Sequence, residues 1–242
     1  MRAETRHQLK QDRFSKVTFE AAEKTVHWSQ EHQSKLIAAV VAVIVIGAIA
    51  GGGWYYVSIQ DQKASLDFAT AVRTLQTPLR PAGTPAQPDF PSFESPTERA
   101  TVARKQFQAI VDKYSSTRTG KMASYFVGVT AAQSGDNATA ERNLQEAAQS
   151  SDAELASIGK FALASVYRSE NKDAQAIDLY NQVINKPTTL VSKSTAQLEL
   201  ASFYESRQKT DDAKKLYEQI QKDNPSSEAA SIAQRRAGEL KK

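Results

Sequence analysis

The second half of the chain repeats itself at intervals of 36 or 37 residues. Two alanine pairs and two tyrosine pairs are 37 positions apart: Ala164 and Ala201, Tyr167 and Tyr204, Ala176 and Ala213, Tyr180 and Tyr217. Small or apolar residues occupy the equivalent positions in earlier intervals: Gly128, Ala131, Ala140 and Leu144, then Ala103 and Phe107. A period of this length predicts stacked copies of one supersecondary unit that share a continuous core.

Each unit has the pattern of two helices joined by a short polar turn. In the last unit, the small residues Ala201 and Ala213 lie where two helices can cross closely, and Pro225 should end the second helix because it lacks an amide hydrogen. Polar turns are expected at three equivalent places, residues 134–136, 171–173 and 209–211. In the last of these turns, Asp211 is a candidate N-cap. We therefore predict an all-α fold of stacked helical hairpins.

The units resemble the tetratricopeptide repeat (TPR), a helical hairpin of about 34 residues. Numbered as that motif from Ser194, the last unit matches its signature positions at Leu200, Ala201, Tyr204, Ala213, Tyr217, Ile220 and Pro225. The resemblance covers about residues 121–227. The sequence departs from the motif at Gln197, where TPRs often have tryptophan, and in two or three extra residues between repeats. The resemblance implies a solenoid whose concave face is formed by the first helix of each unit.

In TPR proteins, five positions of the first helix line a concave groove that binds other proteins. The resemblance implies a partner-binding groove in this chain as well, lined by six candidate residues: Tyr125, Val129, Phe161, Arg168, Leu198 and Glu205. A row of apolar residues (Tyr125, Phe161 and Leu198) suits an extended or helical segment of another protein. The alternative is that the same side chains only pack neighbouring first helices together. Arg168 is the single cation at the groove positions, so a Lys, Arg and Asn clamp for a terminal carboxylate is not expected.

Residues 36–57 form an apolar run of 22 residues without a charge. A helix of that length extends roughly 33 Å, enough to cross the hydrocarbon core of a bilayer. Aromatic residues at 54–56 close the run, as they do at membrane interfaces. The rival interpretation is a signal peptide cleaved near Ala50. The 35 preceding residues and the continuation of the apolar run past that site favour a single transmembrane anchor.

Two further features concern the placement of this span. Residues 1–35 carry seven Lys or Arg against five Asp or Glu, which predicts a cytoplasmic tail and an N-terminus inside the cell. Within the span, Gly47 and Gly51 form a GxxxG pattern that lets another helix approach closely. This pattern indicates packing on a partner's helix or on a second copy of the chain. Alternatively, it reflects only the general abundance of glycine in membrane helices.

Six of the eight prolines fall within residues 78–97. Proline restricts its own backbone and that of the preceding residue, so this stretch is predicted as a loop inserted into the first hairpin. Phe90 and Phe93 could pin the loop to the surface. No helix or central strand is expected within it.

The insertion separates the two helices of the first hairpin. An amphipathic helix is predicted over residues 58–77, with apolar residues on one face: Ala64, Phe68, Ala71, Val72 and Leu75. The repeat pattern assigns Phe68, Ala69 and Val72 to the first helix of the hairpin, and Ala103, Phe107 and Ile110 to the second. The TPR-like solenoid is then expected over residues 98–242, with a capping helix at residues 228–241.

Composition argues against several kinds of site. The chain has no cysteine, and its three histidines all precede residue 35, so thiol or histidine nucleophiles and the usual zinc ligands are missing from the repeats. The acidic pair at residues 211–212 belongs to a turn, where aspartate is common, and no nucleophile–base pair is evident. Charges are nearly balanced, at 31 basic against 27 acidic residues, without the basic cluster that nucleic-acid binding requires. We therefore expect no enzyme, no metal, no cofactor and no nucleic-acid partner.

The whole layout resembles the bacterial ancillary Sec translocon-subunit family. The shared features are a short charged tail, one span, a proline-interrupted first hairpin and a TPR solenoid. The resemblance implies an inner-membrane protein with its repeats in the periplasm, contacting Sec translocon subunits, periplasmic chaperones or exported chains. The alternative is an oligomeric envelope scaffold that coordinates cell division or envelope assembly. A scaffold of this kind would associate through the span or residues 62–76.

Overall fold

The computed structural model describes residues 32–81, 83–84 and 92–240. These residues form nine α-helices and no strand, so the all-α prediction is confirmed. In chain order the helices are α1 (Gln33–Gln76), α2 (Pro96–Tyr114), α3 (Arg118–Gln133), α4 (Asn137–Ala148), α5 (Ala153–Ser169), α6 (Asp173–Asn185), α7 (Lys193–Ser206), α8 (Thr210–Asp223) and α9 (Glu228–Glu239). The chain divides into two compact units, Met1–Tyr56 and Val57–Lys242.

In the first unit, the described structure is almost entirely the apolar part of α1. This helix is long and apolar enough to cross a membrane, judged by length and composition, and none of its most apolar window is buried within the protein. The predicted tail, residues 1–35, lies outside the described residues except for its last four. The predicted span and the predicted amphipathic helix are parts of the single helix α1.

The second unit contains four helical hairpins and one final helix. The hairpins pair residues 57–76 of α1 with α2, α3 with α4, α5 with α6, and α7 with α8. Helix α9 packs on both α7 and α8. The first helices α3 and α5 also contact each other directly, so the hairpins stack side by side as repeats do.

The repeated small and aromatic residues form the core. Ala131, Ala140, Ala164, Ala176 and Tyr180 are all fully buried in one cluster that extends over several hairpins. A Cβ added at Gly128 would lie 2.8 Å from the Cγ of Leu144, because α3 and α4 approach closely at that point. The sequence period therefore marks the places where paired helices cross.

A left-handed residue occupies the same place in the three short hairpin turns, those that follow α3, α5 and α7. Gly135, Asn171 and Gln208 have φ angles of 79°, 60° and 58°. In each case, the amide of the next residue donates to a carbonyl near the end of the preceding helix, as from Lys209 to Tyr204 at 2.9 Å. This hydrogen bond closes the first helix and fixes the residue at which the second helix begins.

The prediction of Asp211 as an N-cap is wrong. Helix α8 begins at Thr210, Lys209 occupies the N-cap position, and Asp211 lies inside the first turn. The turn closes one residue after Gln208, so the helix starts before the aspartate is reached. In the first of the three turns, Asp136 is an N-cap and accepts the amide hydrogen of Thr139 at 3.2 Å.

Aromatic packing joins α1 to the repeats. The ring of Phe68 lies 5.4 Å from those of Phe107 and Phe126. Ala64 and Ala71 are fully buried in the same cluster. Ala69 also lies in α1, but its side chain is exposed. The buried residues described in α1, at positions 64, 71 and 74, are seven and three residues apart, which places them on one face of the helix, and residue 69 falls outside this stripe.

The described ends of the proline-rich insertion lie side by side. Leu79 and Phe93 form a parallel bridge, and the Arg80 amide donates to the Phe93 carbonyl at 2.7 Å. The Arg80 guanidinium donates to Ser92 Oγ at 3.0 Å and pairs with Glu94. Phe93 is buried. Residue 90, the other predicted anchor, lies outside the described residues.

Candidate partner-binding groove

Helices α3, α4 and α5 line a cavity of about 480 Å³. It contains three of the six predicted groove residues, Tyr125 and Val129 from α3 and Phe161 from α5. Leu144 of α4 forms part of the wall between them. The stacking of two first helices therefore brings together side chains that are 36 residues apart in sequence.

Two aromatic rings of this cavity pack against other rings of the fold on one side and face the cavity on the other. Tyr125 is half-buried, with its ring edge-to-face with Phe126 at 5.2 Å, and burial raises the pKa of its hydroxyl. Phe161 is half-buried too, edge-to-face with Tyr180 at 5.8 Å. Each ring is thus part of the fold and still presents a surface to the cavity.

A second cavity, of about 490 Å³, continues from the first. Ser165 and Ser169 of α5 line both cavities. The second cavity adds two cations, Arg168 from α5 and Arg207 just after α7. The two cavities form one groove with an apolar end and a basic end.

The two arginines differ in how firmly they are held. Arg207 donates to Asp173 through Nε and Nη2 at 2.8–3.1 Å, and to Asn171 Oδ1 at 2.9 Å. It also donates to the Arg168 carbonyl at 3.1 Å, so it fastens the turn of one hairpin to the next hairpin. The Arg168 guanidinium lies 3.9 Å from Glu199, beyond hydrogen-bond distance.

The hydroxyl of the buried Tyr180 lies close to Arg168 and to the exposed Ser165. The hydroxyl of Tyr180 lies 3.4 Å from Ser165 Oγ. Burial raises the pKa of Tyr180, so its hydroxyl remains a neutral hydrogen-bonding group over the physiological range. The serine hydroxyl groups that line the basic end, such as Ser165 and Ser169, can offer hydrogen bonds beside the positive charge.

The remaining two predicted groove residues lie outside both cavities. Leu198 is half-buried and packs against the C-terminal cluster that contains Ala201 and Tyr217. Glu205 accepts the Tyr217 hydroxyl hydrogen at 2.9 Å, and burial, with this carboxylate, raises the pKa of Tyr217. The structure thus brings four of the six residues into one groove and leaves these two in contacts within the last hairpin.

Sequence reasoning missed Arg207 as part of the groove, and Glu199 and Tyr180 as neighbours of Arg168. Arg207 follows the last of the groove positions, and Tyr180 belongs to a second helix. Tyr180 carried a signal, since it repeats at Tyr217, but the repeat indicated only a core position. The contacts of Arg207 reach residues 34 to 39 positions away, and no local pattern reveals them.

The glycine pair predicted as a helix-packing site is unobstructed in α1. Gly47 and Gly51 lie four residues apart on α1, and a Cβ added at either would meet nothing within 4 Å. Among the residues that the structure describes, no group of His, Asp or Glu side chains is placed to hold a metal ion. The groove itself presents apolar, hydroxyl and guanidinium groups, which suit binding of a peptide segment.

Comparison with known families supports the repeat assignment. The tetratricopeptide repeat-like domain matches residues 26–189, more than half of the chain. A tetratricopeptide repeat also matches residues 195–227. No match was found among curated proteins or among solved structures.

Proposed function

Because the chain belongs to the tetratricopeptide repeat-like family, we propose that it is a membrane-anchored adaptor that assists protein export at the Sec translocon from the periplasmic side. Repeat domains of this kind mediate binding to other proteins, and the observation that carries the proposal is the groove between α3 and α5. The apolar part of α1 supports the anchor, since it has the length and composition of a membrane span.

The groove suits the task of an adaptor. Its apolar end leaves Tyr125, Val129 and Phe161 partly open to solvent beside a cavity large enough for one or two side chains of a partner. Aromatic residues in such positions supply contact area at little cost in side-chain entropy. The proposed partners are translocon subunits, periplasmic chaperones and exported chains.

A second candidate function is an oligomeric envelope scaffold. The observation that favours it is the open strip at Gly47 and Gly51, where another helix could approach the α1 backbone. In this case the partner would be a second copy of the chain or a protein of cell division or envelope assembly.

The test is photo-crosslinking in living cells from a probe amino acid at position 161. The matched control carries the probe at the exposed residue Glu218 on α8. Export components captured from position 161 and not from position 218 support the adaptor. Capture of only the same chain, or of division and cell-wall proteins, would sink the export proposal and favour the scaffold.

A second variant tests whether the apolar end makes the contact. Val129→Asp places a charge in the cavity and should abolish capture from position 161, because the partner's apolar side chain would have to desolvate it. Circular dichroism of the purified variant verifies that the helices are retained. Undiminished capture with intact helices would place the binding surface elsewhere.

A further inference from the structure

We propose that the groove recognises an extended segment carrying an apolar side chain and a side-chain carboxylate three residues apart. The inference rests on the proposed function and specifies the chemistry of the partner. The apolar side chain enters the cavity beside Phe161, and the carboxylate binds Arg168.

The two ends differ in chemistry yet share one face of α5. Phe161 lines the apolar cavity and Arg168 lines the basic one, with Ser165 and Ser169 common to both. A wholly apolar segment would cover the Arg168 guanidinium without compensation, which is costly. A segment with both an apolar group and an anion satisfies both ends.

The distance between the ends determines the spacing in the ligand. Phe161 and Arg168 are seven residues apart on α5, or about 10 Å along the helix axis and close to two full turns. An extended chain advances about 3.3 Å per residue, so three residues cover this distance. An apolar residue followed or preceded at the third position by Asp or Glu matches the groove.

Arg168 is the cation that remains available for a ligand. The Arg207 guanidinium is already bound by the Asp173 carboxylate, Asn171 and a backbone carbonyl. Arg168 interacts with the neutral Tyr180 hydroxyl. Its only ion pair among the described residues is the 3.9 Å contact with Glu199, and about a third of its side chain is exposed. A ligand carboxylate can form hydrogen-bonded contacts with this guanidinium that Glu199 does not make.

Glu199 competes with the ligand for Arg168. Its side chain is 46% exposed, so it can move aside into solvent when a second carboxylate arrives. Two carboxylates beside one guanidinium repel each other, which lowers the affinity for the acidic ligand. Removal of the Glu199 charge should therefore strengthen binding, whereas removal of the Arg168 charge should weaken it.

The experiment uses the full chain in detergent micelles and two fluorescent peptides. One peptide carries phenylalanine and aspartate three residues apart among serine, glycine and alanine; its twin has asparagine in place of the aspartate. Binding is measured by fluorescence anisotropy. We expect the acidic peptide to bind the wild-type chain about tenfold more tightly than its twin, as a charge-assisted hydrogen bond allows.

Four variants identify the cation responsible. Arg168→Gln should remove the preference for the acidic peptide, and Glu199→Gln should enlarge it. The controls Arg142→Gln and Glu218→Gln, at exposed positions of α4 and α8, should leave the preference unchanged. Because Glu199→Gln is expected to gain affinity, misfolding of a variant cannot imitate the predicted pattern.

The outcomes separate this inference from the function on which it rests. Equal binding of the two peptides, or no binding of either, overturns the acidic-ligand inference. If position 161 still captures export components, the adaptor function stands without it. A preference for the acidic peptide that survives Arg168→Gln also overturns the inference, because another cation then binds the carboxylate.

Discussion

At the scale of single residues, side-chain size at the helix crossings sets how closely the hairpins pack. Gly159 on α5 is such a position between repeats: an added Cβ would lie 2.5 Å from the amide nitrogen of Ala148 and 2.7 Å from the carbonyl carbon of Ala147. These contacts are with backbone atoms of α4, which cannot rotate away. The equivalent residues one repeat before and after, Ala123 and Ala196, are also small and fully buried.

We predict that Gly159→Ala lowers the free energy of unfolding by about 1–3 kcal/mol, the usual cost of overpacking a core. The measurement is urea denaturation followed by circular dichroism. The control is Gly238→Ala on α9, where an added Cβ meets nothing within 4 Å. This control should be neutral or stabilising by up to about 1 kcal/mol, since alanine favours helix more than glycine does. Equal effects of the two substitutions would contradict the close approach of α4 and α5.

At the scale of helices and loops, the longer connections between repeats are fastened by side chains of the preceding hairpin. The Glu154 carboxylate at the start of α5 accepts the amide hydrogens of Thr189 and Leu190, at 3.1 and 3.0 Å. These residues belong to the connection between α6 and α7, whose Val191 is buried. The hydrogen bond from the Leu190 amide is the main cause that lowers the pKa of Glu154. The extra residues between repeats are therefore accommodated by a specific anchor.

This anchor predicts a pH dependence of stability. Folding lowers the pKa of Glu154 below its ordinary value, so the ionised carboxylate stabilises the folded protein. This stabilisation is fully present above the pKa of the unfolded state, and it is lost as the pH falls through the lower pKa of the folded state. Glu154→Gln should lower the melting temperature near neutral pH. The difference from wild type should shrink as the buffer is taken from about pH 7 to about pH 3.

The control for this prediction is Glu218→Gln, at an exposed position on α8. It should change the melting temperature little at either pH. A difference between wild type and Glu154→Gln that stays constant down to the acid end would show that the carboxylate charge is not what holds the connection.

At the scale of the whole molecule, the proposed anchor exposes an apolar surface, whereas the final helix of the repeats exposes a polar one. The apolar part of α1 exposes large side chains such as Ile46, Ile49 and Trp54, at 65–75% of their surface. The last helix, α9, has the reverse character: it buries Ala230 and Ala233 and exposes polar residues on its other side. An exposed apolar helix requires a lipid or protein cover, whereas a polar final helix can end a solenoid in water.

We predict that the full chain stays in the membrane fraction after alkaline carbonate extraction. A retained apolar helix of this length is removed from lipid only by detergent. The control is a variant with three charges in the apolar run, Val43→Lys, Ile46→Lys and Ile49→Lys, which should appear in the soluble fraction. Release of the wild-type protein by carbonate, with loss of about the first 50 residues on mass spectrometry, would instead support cleavage near Ala50.

The sequence alone determined the class of fold and the place of each repeat. Small residues that become buried recur at the spacing of helix turns, and whole repeats recur every 36 or 37 residues. Both spacings can be read directly from the order of residues in one chain. The same reasoning located Tyr125, Val129 and Phe161, which the structure gathers in one cavity. It erred at Asp211, where a shift of two residues changes the position at which a helix begins.

Only the tertiary structure decided which of the groove positions share a surface. It placed Arg168 in the second cavity of the groove, together with Arg207, and it placed Leu198 and Glu205 outside the groove. The pairing of Arg207 with Asp173 and the loose contact of Arg168 with Glu199 arise where one hairpin stacks on the next. Such contacts depend on the distance and angle between whole hairpins. The packing of many side chains from neighbouring hairpins sets this distance and angle, so the sequence of one repeat does not contain them.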